Sequence, residues 1–229
     1  MTEQKWKQNL ITGYQNFRAK PYKRHKDLYE EIGKFGQKPD IMVIACSDSR
    51  VNPSAIFNAH PGEIFVLRNV ANIVPPYDPS AGYHGTSAAI EFAVKVLKVD
   101  AIVVMGHESC GGITAYLADL HDEQAGKLKP DHEYSFIESW IKILDMAHER
   151  LVSSDADNAG SQRHMEYAGV RQSLTNLINF PFVEQAVASG ELALLGAYFS
   201  IIEGRLLFAN KDGVFEEVRT QKKKTKQSR

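Results

Sequence analysis

Ile41-Met42-Val43-Ile44-Ala45-Cys46-Ser47-Asp48-Ser49-Arg50 is an apolar run that ends abruptly in a thiol, a carboxylate and a guanidinium. Ile41 to Ala45 is short and uncharged, rich in β-branched residues, and bounded by Pro39 and by Ser and Asp. This pattern reads as a strand buried on both faces, with Cys46 at its carboxyl end. If the backbone stays extended, the two-residue period puts Cys46, Asp48 and Arg50 on one side, facing one cavity.

The design recurs downstream, where Ala101 to Met105 is again a short buried strand running into Gly106-His107-Glu108-Ser109-Cys110-Gly111-Gly112. His107 and Cys110 are three apart, so one helical turn or tight loop aims both at one point. Between the two strands, Ile90, Ala93, Val94 and Leu97 form the apolar stripe of a helix covering a sheet. The expectation is an α/β fold: a mostly parallel central sheet with helices on both faces, an N-terminal helical arm and an antiparallel edge near the C-terminus. In open parallel sheets, ligands bind beyond the carboxyl ends of the strands where strand order reverses. Cys46, His107 and Cys110 all fall there.

The chain has 229 residues, 43% of them hydrophobic, which suits one α/β domain with a substantial core. The expected division is a single domain over residues 1–218, its helical arm at 1–36, and a basic disordered tail at 219–229. A net charge of −1 gives no reason to expect nucleic acid or an anionic membrane as partner. No apolar run approaches the length of a membrane span, and the start lacks a charged segment followed by an apolar one. The two cysteines make no disulfide framework, and with no export signal they point to a reducing cytoplasm.

Trp6, Leu10, Tyr14 and Phe17 fall at helical spacing, with Pro21 expected to end the pattern. This stripe has two possible seats, a neighbouring subunit or its own domain. Leu28, Ile32 and Phe35 mark a second helix closed by Gly36 and Pro39. Pro53 opens a short helix, Glu63 to Leu67 is a strand, and the three prolines between Val74 and Pro79 make a rigid loop. Gly112 to Leu120 and Phe136 to Leu151 are read as helices, His121 to Tyr134 as an exposed loop and Ser153 to Gln162 as a solvated linker. Val170, Leu174, Leu177 and Ile178 mark a helix stopped near Pro181. Leu192 to Ile202 and Arg205 to Phe208 pair about a tight turn at Gly204, with Val214 to Val218 as a last edge strand.

Two thiolates and one imidazole form a borderline-soft ligand set that suits Zn2+. No third cysteine closes the set, and three protein ligands plus a water is the catalytic arrangement. Two other classes fit these residues less well. A cysteine hydrolase with His107 as base lacks the glycine spacing of a nucleophile elbow. A non-catalytic zinc module gives no reason for Asp48 and Arg50 beside the ligands.

Cys46-Ser47-Asp48-Ser49-Arg50 with His107-x-x-Cys110-Gly111-Gly112 resembles the β-class carbonic anhydrases. The likeness extends through Pro61-Gly62-Glu63, Val66 to Asn72, Ala88 to Ala93 and the Leu192 to Leu206 region. It implies one zinc per chain held by Cys46, His107 and Cys110, and a catalytic Asp48/Arg50 dyad. It also implies CO2 and bicarbonate as substrates, and a homodimer or a tetramer or octamer built from dimers. Substrate would be met by Gln37, Phe65, Val70, Phe92 and Gly111. In the implied chemistry, zinc-bound hydroxide attacks CO2, Asp48 accepts the hydroxyl hydrogen bond and Arg50 keeps Asp48 ionised. Gln37, the V-P-P-Y-D loop and A-A-I-E-F are similar to the plant-type branch. Phe92 departs from a pocket tyrosine of that branch, and His60 from a usual glutamine. Pocket access rather than ligand chemistry would decide between CO2 and an analogue such as CS2.

Overall fold

In the computed structural model, which describes residues 3–80, 82–126 and 135–219, Ile41–Cys46 forms the expected strand, β1, buried from Met42 to Cys46. β2 (Ile64–Asn69), β3 (Ala101–His107), β4 (Ala193–Ser200), β5 (Arg205–Ala209) and β6 (Phe215–Glu217) complete a six-stranded sheet in the order β2-β1-β3-β4-β5-β6. The first four strands in that order are parallel, and β5 and β6 add antiparallel. After β1 the chain builds β2 on one side, then crosses back to lay β3 on the other. Strand order therefore reverses between β1 and β3, which is where an open sheet leaves a crevice.

Alternate residues of the central strands serve opposite faces. Met42, Ile44, Ile102 and Val104 pack with Ile90 and Ala93, and with Val170, Leu177 and Val183. These come from helices α4 (Gly85–Glu91, continued by a π-helical stretch Phe92–Leu97), α8 (Gln162–Ile178) and α9 (Pro181–Ala188). Val43, Ala45, Val103, Met105 and Ala197 take the other face, against Ile56 and Phe57 at the end of α3 (Pro53–Ile56). A further cluster sits over the strand ends. There Cys46, Val51, Ala71 and Cys110 meet Ile113 and Tyr116 of α5 (Gly111–Gln124), Ile141 of α6 (Ser135–Ile141), and Ala147 and Leu151 of α7 (Asp145–Ser154).

Several boundaries differ from the sequence expectation. Helix α5 runs on to Gln124, so the expected loop begins later, and its residues 127–134 lie outside the described residues. The expected helix from Phe136 to Leu151 is divided by a 3-10 turn at Lys142–Leu144, which lets Ile141, Leu144, Ala147 and Leu151 all stay buried. The linker from Ser153 to Gln162 is a packed connection: its ends belong to α7 and α8, and Ala159 is buried. Pro181 does not merely stop α8. It occupies the first turn of α9, where its missing N–H is no loss. Nor does Pro21 end the N-terminal helix: α1 (Glu3–Phe17) continues as a π-helical stretch Arg18–Tyr22 with Pro21 inside it. Helix α2 (Lys26–Phe35) closes as expected on Gly36, at φ 87°. All of the basic tail but residue 219 lies outside the described residues.

The α1 stripe is not used by its own domain, for Trp6, Leu10 and Tyr14 are 52%, 67% and 61% exposed. Among the described residues no helix is long and apolar enough to cross a membrane.

Helix α8 lies so close to β3 that a Cβ on Gly106 would sit 2.7 Å from Val170 Cγ2. Gly106→Ala is therefore expected to destabilise the fold by about 1–3 kcal/mol through overpacking, read as a lowered midpoint in urea.

Candidate metal centre

Parallel pairing sets β1 beside β3 with Ala45 opposite Met105, so the residues that follow both strands emerge together. Cys46, His107 and Cys110 are 6%, 1% and 1% exposed, and their ligand atoms lie within 4.8 Å of one another. The two sulfurs are 4.0 Å apart, close to the roughly 3.8 Å that two Zn–S bonds of about 2.3 Å span in a tetrahedron. The cysteines form no disulfide.

The imidazole gives a separate test of fit. His107 Nδ1 lies 2.9 Å from the Glu108 carbonyl oxygen, which only accepts, so Nδ1 carries the proton. Nε2 is left as a bare acceptor, buried and without a hydrogen-bond partner. An unmet buried acceptor costs about 1–3 kcal/mol, and a cation between the three side chains would satisfy it. The thiols agree. A hydrogen bond from the Cys110 thiol holds Cys46 down to about 4 in spite of burial, while that same bond and burial push Cys110 up. One thiolate forms readily, and a dication favours the second. The donor set fits zinc.

Asp48 and Arg50 are brought together by a turn rather than by extended backbone. Val51 N donates to the Asp48 carbonyl and Arg50 N to Asp48 Oδ1 at 2.9 Å, so the carboxylate caps its own turn. Arg50 then closes on both carboxylate oxygens, Nε to Oδ1 at 3.0 Å and Nη2 to Oδ2 at 2.7 Å. It also donates to the Ser109 carbonyl between the two β3-side ligands. Arg68, at the end of β2, adds donors to the carbonyls of Cys46, Asp48 and Val51. The Arg50 side chain thus holds Asp48 well below the usual carboxylate range.

Two tight turns frame the ligands. Ser109 and Ala71 adopt left-handed φ values of 56° and 60°, a conformation that costs a non-glycine residue of order 1 kcal/mol and persists only where the surroundings impose it. A Cβ on Gly112 would stand 2.9 Å from Ala71 Cβ and 3.0 Å from Val70 Cγ1. Only glycine lets the first turn of α5 approach that bend.

Of the expected substrate residues, Val70 and Gly111 lie at this bend and this helix start. Phe65 and Phe92 adjoin each other, their ring centroids 5.9 Å apart, but Phe65 is paired with Met42, four residues before Cys46 on β1, so by strand rise it stands roughly 13 Å from the cluster within one chain. Gln37 does not join them. It is exposed in the segment before β1, at the amino end of the strand whose carboxyl end bears Cys46, a separation of roughly 20 Å by strand rise.

Sequence reasoning passed over the groups that hold the ligand loop from behind. Glu166 on α8 accepts from Cys110 N, and Glu108 accepts from Ser200 Oγ and Ile202 N while pairing with Arg163. The available signal was a charged residue on an otherwise buried helical face, since Glu166 shares its side of α8 with Val170 and Ser173.

Residues 41–206 match the family model described as carbonic anhydrase. The chain is 36% identical over 199 residues to beta carbonic anhydrase 3 of Arabidopsis thaliana, covering 86% of this chain and 74% of that protein. It superposes on the β-carbonic anhydrase CcaA with a TM-score of 0.82 at 30% identity, over 95% of this chain and 94% of that one. A structure among two tetrameric β-carbonic anhydrases of Sordaria macrospora gives 0.65 at 28% identity, over 88% and 92%. The fold is that of the β-class enzymes, and the buried Cys-His-Cys cluster at its switch point fits a metal site. The chain belongs to the carbonic anhydrase family, and its activity class is carbonate dehydratase, a lyase.

Because the folded-state pKa of Asp48 is depressed, its ion pair contributes stability above the ordinary aspartate value near 3.9 and loses it as pH falls toward the lower folded value. A carboxylate titration followed by NMR should show Asp48 ionised through about pH 4, with Arg50→Gln raising its midpoint toward the ordinary value while the backbone bond from residue 50 remains. An ordinary midpoint in the native protein would contradict the dyad geometry.

Proposed function

We propose that this chain catalyses the reversible hydration of CO2 to bicarbonate and a proton, with one zinc per chain held by Cys46, His107 and Cys110. The observation that carries the proposal is the bare, buried Nε2 of His107 facing two thiols, beside a carboxylate locked as an acceptor. Bound zinc supplies Lewis acidity, which brings the ionisation of a water from about 15.7 toward neutrality.

The protein's own residues supply orientation. Asp48, ionised and engaged by Arg50 on both oxygens, keeps further lone pairs and can only accept a hydrogen bond, so it selects the rotamer of a hydroxyl beside it. Arg50 prevents that carboxylate from taking a proton and, through Ser109, ties its position to the ligand loop. Val70 offers apolar lining beside the cluster, and the Phe65–Phe92 pair, set back along the sheet, would add the apolar wall that a neutral, linear substrate needs only to a neighbouring copy's pocket. The cytoplasm, expected from the sequence, would keep both thiols reduced.

The reading extends to a second copy of the chain. The apolar stripe of α1 is bare, and Gln37 stands at the wrong end of β1 to serve its own site. A dimer joined through the N-terminal arm would cover the stripe and could bring Gln37 to the neighbouring pocket, where its amide would donate to the oxygen that gains charge. The plant-type features favour Asp48 staying on Arg50, with the proton balance of the reaction governed by one group.

Zinc analysis and stopped-flow CO2 hydration test the proposal together. The purified protein should hold about one zinc per chain, lost on Cys46→Ser or Cys110→Ser; retention by both variants would overturn the ligand set. Asp48→Asn should keep zinc and lose roughly 10²-fold or more in rate, and an unchanged rate would reduce the dyad to a structural pair. The slope of log(kcat/KM) against pH should approach one proton. A steeper loss with bicarbonate inhibition would instead assign the other branch of the family, in which bicarbonate at a second pocket shuts the enzyme.

A further inference from the structure

Behind the ligand loop lies a carboxylate that the dyad does not explain. Glu166, 3% exposed, accepts from Cys110 N at 2.9 Å and Gln162 Nε2 at 2.8 Å through Oε1, and from the Tyr198 hydroxyl at 2.7 Å through Oε2. All three partners are neutral donors, and no lysine or arginine pairs with it among the described residues. A buried carboxylate is expensive to keep unless its acceptors are met by donors, as all of these are.

We infer that Glu166 is a positioning residue for the metal centre: its hydrogen bond fixes the Cys110 backbone so that the thiol faces Cys46 and His107. Cys110 is the N-cap of α5, so its own N–H points away from the helix and has no partner there. It also follows Ser109, whose left-handed φ of 56° persists only where neighbours impose it. Glu166 supplies that constraint on one side, and the Arg50 bond to the Ser109 carbonyl supplies it on the other. A carboxylate acceptor makes a stronger bond to a backbone N–H than a neutral group does. Tyr198 on β4 and Gln162 on α8 hold the carboxylate in turn, so the orientation of Cys110 is set by the neighbouring strand and by α8. Burial and the bond to Glu166 keep the Tyr198 proton on its oxygen.

The inference rests on the zinc reading, and competition of the zinc-loaded protein against a chelator separates the two. Glu166→Leu should weaken zinc binding 10- to 100-fold, the scale on which groups that orient a ligand act. Glu166→Gln, which keeps an acceptor of the same shape, should lose distinctly less. Tyr198→Phe, which removes one tether and leaves the fold's volume intact, should fall between native and Glu166→Leu. Leu177→Ala, lower on α8 and away from the loop, serves as a control for general loss of stability and should hold zinc as the native protein does. Native-like zinc affinity in both Glu166→Leu and Tyr198→Phe would overturn the inference while leaving the zinc site standing. Equal losses in Glu166→Gln and Glu166→Leu would overturn it in favour of a charge effect, and an equal loss in Leu177→Ala in favour of plain destabilisation. A native protein that binds no zinc would overturn the site and the inference together.

Discussion

The parallel pairing of β1 with β3 is the constraint from which the rest of the structure follows. Because their carboxyl ends lie at one edge and the chain departs from them in opposite directions, the segments after Cys46 and after His107 enclose one crevice. A thiol, an imidazole and a second thiol enter it from residues far apart in the chain. Each demand that follows is local: a left-handed Ser109 to swing Cys110 back, a glycine at 112 to let α5 approach the bend at Ala71, and a turn at Asp48 that folds a carboxylate onto Arg50.

The central strands were plain in the sequence because burial on both faces leaves an uninterrupted apolar run that few other elements produce. The Cys-His-Cys cluster was legible for a related reason. Cysteines are scarce in this chain, and both stand where such a run ends. Asp48 and Arg50 were found for a partly mistaken cause, since a turn rather than an extended backbone joins them. Helix breaks were read less well. Pro21 lies within a continuing helical path and Pro181 begins a helix, because proline forbids only certain positions and the sequence alone does not say which position it fills. Helix α9 was missed on that account.

Glu166 was faint in the sequence for a different reason. Gln162 stands one turn back on its own helix, but Cys110 and Tyr198 come from a loop and a strand, and no spacing rule links those two to it. Gln37 shows the opposite limit. Its family likeness marks it as a site residue, yet within one chain it occupies the amino end of β1. Resemblance carries a role across chains without carrying the geometry that fulfils it.

The sequence separation of the two cysteines, 64 residues, has a consequence for the unfolded chain. An ion held by both would act as a crosslink, and the loop it closes is long. In the chain-entropy model such a crosslink restricts the denatured ensemble by about 4 kcal/mol, the same order as the whole margin by which many domains fold. The topology that serves the reaction would then also tie the lifetime of the native state to the rate at which the ion leaves.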